Sequence, residues 1–414
     1  MKARTFMVIA GETSGDILAA ELVQALRAEA NARPENPTWD YQPLRSNLEP
    51  RFFGAGGPKM AGAGVELAFD LTAHAVTGLS EVLKNLGKFR RLFAQLYRLA
   101  LERKPDAIIC VDFSGFNRRF AHAIRKYHRA RKGWFHDWNP RIVQYVSPQV
   151  WASREGRAYQ MAQDFDLLLS IFPFEREWYA ARVPKLRVEF VGNPIIDRYG
   201  ATPAEAKPKT AEGPPAVVLL PGSRPGELAR HLPVLLETLK RIRAVLPQVE
   251  ARMVLPNAGL LELAREFQLP ERLDLQVGEL PAALRVADLA LASTGTVTLE
   301  CAYFGVPAVA LYKTSWLTWQ IARRIITVKY GAMPNLLADR EIYPEFIQDA
   351  ATPENVANAA LSILQDPSRS SKIREELVQV TRSLGTPGAA RRAARAILNT
   401  LETDHLTRPA EASG

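Results

Sequence analysis

The chain has 414 residues, 47% of them apolar and 23% charged, which fits a globular protein of two or three domains and excludes a disordered or fibrous one. No apolar run approaches the ~18 residues needed to cross a bilayer. The start, MKARTFMVIAGETSGD, passes from a short strand into a polar turn, unlike a signal peptide. The formal charge of +9 is concentrated: residues 84–132 hold 14 Lys/Arg and 3 Asp/Glu, a local +11 on an otherwise near-neutral body. Such a region suits an anionic partner, whether nucleic acid, an anionic membrane surface or a phosphorylated substrate. Cys110 and Cys301 each sit in an apolar segment. They read as buried free thiols of a cytoplasmic protein, with no metal cluster.

In chain order, TFMVIA (5–10) is a first strand, followed by GETSGD and a helix expected over 17–30. Thr13 and Asp16 have capping-box spacing. The turn occupies the place of a dinucleotide fingerprint, but Glu12 and Asp16 would repel a diphosphate. A cofactor site is rejected there, and the two carboxylates are left to accept hydrogen bonds from sugar hydroxyls. Residues 31–50 are polar and rich in Pro and Asn, an inserted surface loop. FFGAGGPKMAGAG (52–64) is a strand running into a glycine-rich turn.

Over 79–100 apolar residues recur with helical period, interleaved with Lys84, Lys88, Arg90, Arg91 and Arg98. This predicts either a core-packing helix with a solvated basic face or a helix resting on an anionic membrane. KPDAIICVD (104–112) is a buried strand with Asp112 at its carboxyl end, where a carboxylate serves as a helix N-cap or as a catalytic base. A basic helix (118–132) and a second polar insertion (129–140) follow. RIVQYVSPQVWAS (141–153), DLLLSIFPFE (166–175) and FVGNPIID (190–197) then continue the strand alternation.

TPAEAKPKTAEGPP (202–215) has no apolar pattern and reads as a linker. The alternation restarts at VVLLPGSR and continues through ARMVLP (251–256), LDLQVG (273–278) and LALAS (289–293). The expected organisation is a first α/β domain over 1–200, a linker over 201–215 and a second α/β domain over 216–350. C-terminal helices (351–402) and a disordered tail (403–414) close the chain.

The chain is organised around LLPGSRPGE (219–227), a buried strand ending in a Pro-Gly turn. Gly222 lets the backbone turn sharply and brings Ser223 and Arg224 to the strand's carboxyl end, where ligands of open α/β sheets bind. The Arg224 guanidinium suits bidentate phosphate contact. STGTVTLE (293–300) likewise follows a strand and opens a helix. Its small residues let N–H groups and hydroxyls face a phosphate, with Glu300 two turns on, within reach of ribose hydroxyls. Together the two stretches describe a nucleotide-diphosphate site.

Ten motifs in order then carry a resemblance to the lipid-A-disaccharide synthase family of inverting GT-B glycosyltransferases. They are GETSGD, GLSEVL, PDAIICVDFSGFN, YVSPQVWA, FPFE, VGNP, LPGSR, GTVTLE, MPNLLA and PEFIQ, spread over 11–348. The chain departs from the family pattern at Ser114, Asn193 and Thr294, where Pro, His and Ser are usual. The resemblance implies a GT-B fold of two Rossmann-like domains facing a cleft, with C-terminal helices packing back on the first. It also implies condensation of UDP-2,3-diacylglucosamine with 2,3-diacylglucosamine 1-phosphate to the β-1,6-linked disaccharide 1-phosphate and UDP.

By the same resemblance Asp112 is the catalytic carboxylate, with Glu12 and Asp16 as secondary candidates. Arg224, with Gly222 and Ser223, holds the diphosphate; Thr294, Gly295 and Thr296 donate from the helix start. Glu300 binds ribose, and Asn335 orients donor phosphate or sugar. No metal and no cofactor are expected. The acyl chains of both substrates require a peripheral site on the inner face of the inner membrane, through 79–100 or through 313–329, where Trp316, Leu317, Trp319, Ile325 and Ile326 mix with Arg323 and Arg324. Nucleic acid is not an expected partner, and a homodimer is left open. The competing readings are another UDP-sugar GT-B enzyme or a non-catalytic basic lipid- or nucleic-acid-binding protein.

Overall fold

The structure is a computed structural model that describes residues 3–31, 49–74, 86–131, 133, 137–200 and 213–407. The chain forms two compact units: Met1–Val150, Glu155–Asp197 and Thr386–Gly414 make the first, and Trp151–Arg154 with Arg198–Gly385 the second.

The first unit holds seven parallel strands among the described residues: β1 (Thr5–Ala10), β2 (Arg51–Gly56), β3 (Glu66–Asp70), β4 (Ala107–Val111), β5 (Arg141–Tyr145), β6 (Leu167–Ser170) and β7 (Arg187–Phe190). Their order across the sheet is β3-β2-β1-β4-β5-β6-β7. β4 and β6 are buried along their whole length, as unbroken apolar runs require when helices cover both faces. Alternate residues feed two cores. Phe6, Val8 and Ala10 meet Leu18, Leu22 and Leu26 of helix Thr13–Asn31 and Ile397 and Leu401 of helix Ala389–Thr407. Met7, Ile9, Ile108 and Cys110 meet Leu96, Phe120 and Ile124 on the other face.

The helix Ala389–Thr407 thus returns to the first unit, and Arg391 and Arg395 both pair with Glu29 on helix Thr13–Asn31. The helices before it, Pro353–Leu364 and Pro367–Ser383, belong to the second unit, so only the last C-terminal helix packs on the first.

Helix Leu86–Arg103 decides one open alternative for the residues it covers. Phe93 sets its ring edge-on against Phe116 and Phe120 at 5.4 and 5.6 Å, and Phe89, Leu92, Tyr97 and Leu99 pack on the same core. Lys88, Arg90, Arg91 and Arg98 are exposed. Its apolar residues are spent on the protein's own interior, and the cations form a solvated face. Residues 79–85 lie outside the described residues, as do 32–48 and 201–212.

The second unit repeats the plan with β8 (Ala216–Leu220), β9 (Glu250–Leu255), β10 (Leu273–Val277), β11 (Leu289–Ser293), β12 (Ala308–Tyr312) and β13 (Glu345–Ile347). All pairings are parallel, in the order β10-β9-β8-β11-β12-β13. Three strands go beyond the sequence expectation. The edge strand β3 alternates exposed and half-buried residues, and β13 has three residues, none fully buried; neither gives the apolar run that marks a covered strand. β12 is buried and closely follows the helix after β11, so its apolar run merges with that helix in the sequence. The first helix also starts at Thr13 rather than 17, reducing the preceding turn to Gly11 and Glu12.

In each sheet the winding direction reverses once, between β1 and β4 and between β8 and β11. The carboxyl ends of those strand pairs are the usual ligand position in such sheets. Among the described residues no helix is long and apolar enough to cross a membrane.

Candidate active site

In the first unit the reversal brings the exits of β1 and β4 together. Asp112, half-buried directly after β4, has φ +48°, and Phe113 has φ +40°. Two consecutive left-handed non-glycine residues are uncommon. The Asp112 carboxylate accepts hydrogen bonds from the Phe113 N–H and the Ser14 hydroxyl. Burial nevertheless pushes its pKa above the usual aspartate range, outweighing those two bonds. Gly11 makes the close approach possible, since a Cβ there would lie 2.2–2.5 Å from the Phe113 ring.

Glu12 is exposed at the start of helix Thr13–Asn31. Asp16 is 1% exposed and its carboxylate accepts from the N–H groups of Gly57 (2.8 Å), Lys59 (2.9 Å) and Met60 (3.0 Å). It therefore caps the short helix Pro58–Gly62, not its own helix as the capping-box spacing suggested. With three amide hydrogens on its oxygens it ties the β2 exit to the β1 exit. Asn193 caps helix Pro194–Tyr199: its side-chain oxygen accepts from Ile195 N at 3.0 Å. An amide suffices for that task.

In the second unit the reversal pairs the exits of β8 and β11. Gly222 adopts φ +120°, a region glycine enters without strain. Arg224 is the N-cap residue of helix Pro225–Val245, and its guanidinium donates to Glu227 Oε1 at 3.0 Å. The second Glu227 oxygen accepts from Ser223 N at 3.2 Å. Glu227 stands three residues after the N-cap, the acidic position of a capping box, and that spacing was the signal available for it.

His231 had no such signal, being one residue on an otherwise apolar helix face. It is fully buried, its Nδ1 lies 2.7 Å from Pro221 O, and its Nε2 accepts from Lys313 N at 2.9 Å. Those partners assign the neutral Nδ1–H tautomer, and burial lowers its pKa in agreement. The ring joins the turn after β8 to the segment after β12.

After β11, Gly295 takes φ +116° and Thr296 begins the helix Thr296–Tyr303. Thr294 N donates to Leu311 O at 3.1 Å, so it is spent on the sheet and is not the free donor expected at the helix start. Thr298, unremarked in the sequence, donates to Gly295 O at 2.6 Å and accepts from Met333 N at 3.0 Å, fixing the loop against the start of helix Met333–Ala338.

Glu300 accepts a 2.8 Å hydrogen bond from Tyr199, and Arg198 lies 4.0 Å away. Burial raises the Glu300 pKa and pushes the Tyr199 phenol up to about 12, so Tyr199 keeps its proton as donor. Both contacts are made at one Glu300 oxygen, Oε1.

Asn335 departs from its expected role. It is fully buried, donates to Tyr343 O and Glu345 Oε1 (2.7 Å each), and accepts from Ile342 N and Tyr343 N (2.8 Å each). Its hydrogen-bonding capacity is consumed internally. It holds the 333–345 loop together and orients no donor directly.

Two successive all-parallel Rossmann-like sheets, each with candidate residues gathered at its reversal point, are the architecture of the GT-B fold class. The chain is similar to S. aureus MnaA, solved with UDP, at a TM-score of 0.58 and 14% identity, covering 99% of this chain and 100% of that one. It is also similar to the glycotransferase of kitacinnamycin, at a TM-score of 0.58 and 18% identity over 96% and 99%. At these identities the likeness is one of fold.

Sequence comparison is more specific. Residues 6–399 match the family described as lipid-A-disaccharide synthetase. The lipid-A-disaccharide synthase of Geobacter sulfurreducens is 36% identical over 95% of this chain and 97% of its own length. That of Azotobacter vinelandii is 35% identical over the same shares. The chain belongs to the lipid-A-disaccharide synthase family.

Proposed function

We propose that the chain transfers 2,3-diacylglucosamine from its UDP donor to the 6-hydroxyl of 2,3-diacylglucosamine 1-phosphate. The products are the β-1,6-linked disaccharide 1-phosphate and UDP. The observation that carries this reading, beside family membership, is the standing of Asp112 and Arg224 at the reversal points of their two sheets.

Asp112 acts as the base. A carboxylate with its pKa raised by burial and oriented by Ser14 and Phe113 N–H is suited to take the proton of the attacking hydroxyl. The acceptor oxygen forms its bond to the donor's anomeric carbon as the bond from that carbon to UDP breaks, inverting the configuration. The leaving diphosphate keeps the electron pair. Arg224 offsets its charge, together with the Ser223 N–H and the first turn of helix Thr296–Tyr303. Glu300 receives the ribose, held by Tyr199. Glu12 stands as the secondary acid–base candidate.

The acyl chains of both substrates require access to a lipid surface, and helix Trp316–Ile325 has the composition for it. Among its residues none is buried, and Trp316, Leu317 and Ile321 are 73%, 65% and 52% exposed. Arg323 and Arg324 occupy its last turn, and no acidic residue occurs over 313–329. Exposed tryptophan beside cations suits the headgroup region of an anionic membrane. The enzyme then works as a peripheral protein on the cytoplasmic membrane face.

The donor half is tested by UDP titration. Wild type should bind, and Arg224→Ala should weaken binding by about 10–100-fold, the value of a charge-assisted pair. Equal binding by both proteins would move the diphosphate elsewhere.

A further inference from the structure

Beneath Asp112 lies a polar arrangement that the reaction scheme does not use. The Asp112 carbonyl oxygen accepts from Asn117 Nδ2 at 2.9 Å and from Gln144 Nε2 at 3.0 Å. The Asn117 amide also reaches Val111 O at 3.3 Å, and the Gln144 amide reaches Val146 O at 3.2 Å. Both side chains are 0% exposed, on helix Ser114–Ala130 and strand β5.

The backbone they grip carries three of the four left-handed non-glycine residues among the described residues of this unit. Asp112 and Phe113 are left-handed, and Val146, a β-branched residue, sits at φ +64°. Such conformations persist only where surrounding structure over-determines them, and they cluster at functional sites. Asn117 Oδ1 and Gln144 Oε1, moreover, have no hydrogen-bond partner among the described residues. Apolar side chains would fill these positions without leaving two acceptors unmet. What an apolar side chain lacks is the –NH2 donor that both amides place on one carbonyl.

We infer that Asn117 and Gln144 are a clamp that holds Asp112 in its left-handed conformation and so positions its carboxylate for proton removal. They are positioning residues, acting through Asp112 and touching no substrate. The inference rests on the reading of Asp112 as base. Without the clamp the turn can relax to negative φ, carrying the carboxylate away from Ser14 and toward water. Two effects follow: misalignment with the acceptor hydroxyl, and a fall of the Asp112 pKa toward its ordinary value as it becomes hydrated.

The test uses the full chain with Gln144→Met and Asn117→Leu, read separately so that one folded variant suffices, each also in an Asp112→Asn background. Turnover, its pH profile, UDP affinity and thermal melting are measured. Each clamp variant should lose about 10–100-fold in kcat, keep UDP affinity within about twofold as the second-unit control, and move the acidic limb of the profile to lower pH. In the Asp112→Asn background the same change should cost no further rate. A folded clamp variant with unaltered kcat and acidic limb would overturn the proposal, as would an equal loss in the Asp112→Asn background, which would mark a merely structural role. If Asp112→Asn alone turns over like wild type, it is the base assignment that fails, and the two failures are thereby told apart.

Discussion

Arg224 Nη1 donates to Glu227 Oε1 at 3.0 Å while the other Glu227 oxygen accepts from Ser223 N at 3.2 Å. The cation and the N–H assigned to the donor diphosphate are therefore both held by a carboxylate of their own helix. An exposed i,i+3 pair of this kind is worth ~0.2–0.5 kcal/mol, whereas a diphosphate carries more charge than one carboxylate and offers the guanidinium a bidentate contact. The exchange favours the ligand. Glu227→Gln keeps the shape and removes the competing charge, so calorimetry should show UDP bound about 3–10-fold tighter. Weaker binding would mean that Glu227 serves chiefly to pre-orient the turn.

Asp112 links activity to stability with a definite sign. Its pKa in the fold lies above the ordinary value because of burial. The folded state thus favours the protonated form, and stability falls as pH rises from the ordinary aspartate range through the raised pKa. Asp112→Asn should accordingly raise the melting temperature at pH 7, with the gain fading in acid, while turnover is lost. A melting temperature lowered at pH 7 would contradict this.

The shift of His231 runs the other way. Burial lowers its pKa, with Glu227 and the Pro221 and Lys313 backbone opposing and Arg230 assisting. The unfolded chain takes up a proton near pH 6.5 that the fold resists, so stability present above that pH is lost as pH falls through the depressed folded pKa. Melting curves between about pH 7 and pH 5 should show a slope that His231→Gln reduces. An unchanged slope would assign the acid sensitivity elsewhere.

Helix Trp316–Ile325 should govern lipid attachment. Burying an apolar side chain is worth ~1.5–3 kcal/mol and each cation near an anionic surface ~1 kcal/mol. Trp316→Ser with Leu317→Ser should therefore lower partitioning onto phosphatidylserine-containing vesicles by more than about tenfold. Arg323→Gln with Arg324→Gln should remove most of its salt dependence. Vesicle binding indifferent to both pairs would exclude this helix.

Much of the fold was legible because its central strands are covered on both faces: VVLL before Gly222 and AIICV before Asp112 are unbroken apolar runs with little else to become. The placing of Asp112 and Arg224 followed from their positions just beyond such runs, and that of Glu300 from the helix that opens after the run LALAS. Asp16 and Asn335 were misread for one shared reason. A polar residue in a glycine- or proline-rich turn looks the same whether it faces a ligand or satisfies groups of the fold itself, and only the three-dimensional path showed Asp16 on the Gly57–Met60 amides and Asn335 on the Ile342–Tyr343 backbone and the Glu345 carboxylate. His231, Thr298 and Gln144 were invisible because their partners lie 82, 35 and 32 residues away along the chain.

The central claim is tested most directly by following disaccharide and UDP formation from UDP-2,3-diacylglucosamine and 2,3-diacylglucosamine 1-phosphate, with wild type and Asp112→Ala, and UDP binding measured alongside. The predicted result is product from wild type, loss of product by a factor of at least ~100 in the variant, and unchanged UDP affinity. Product formation by Asp112→Ala at the wild-type rate would remove Asp112 as the base and turn attention to Glu12, and absence of product from wild type would contradict the assigned reaction.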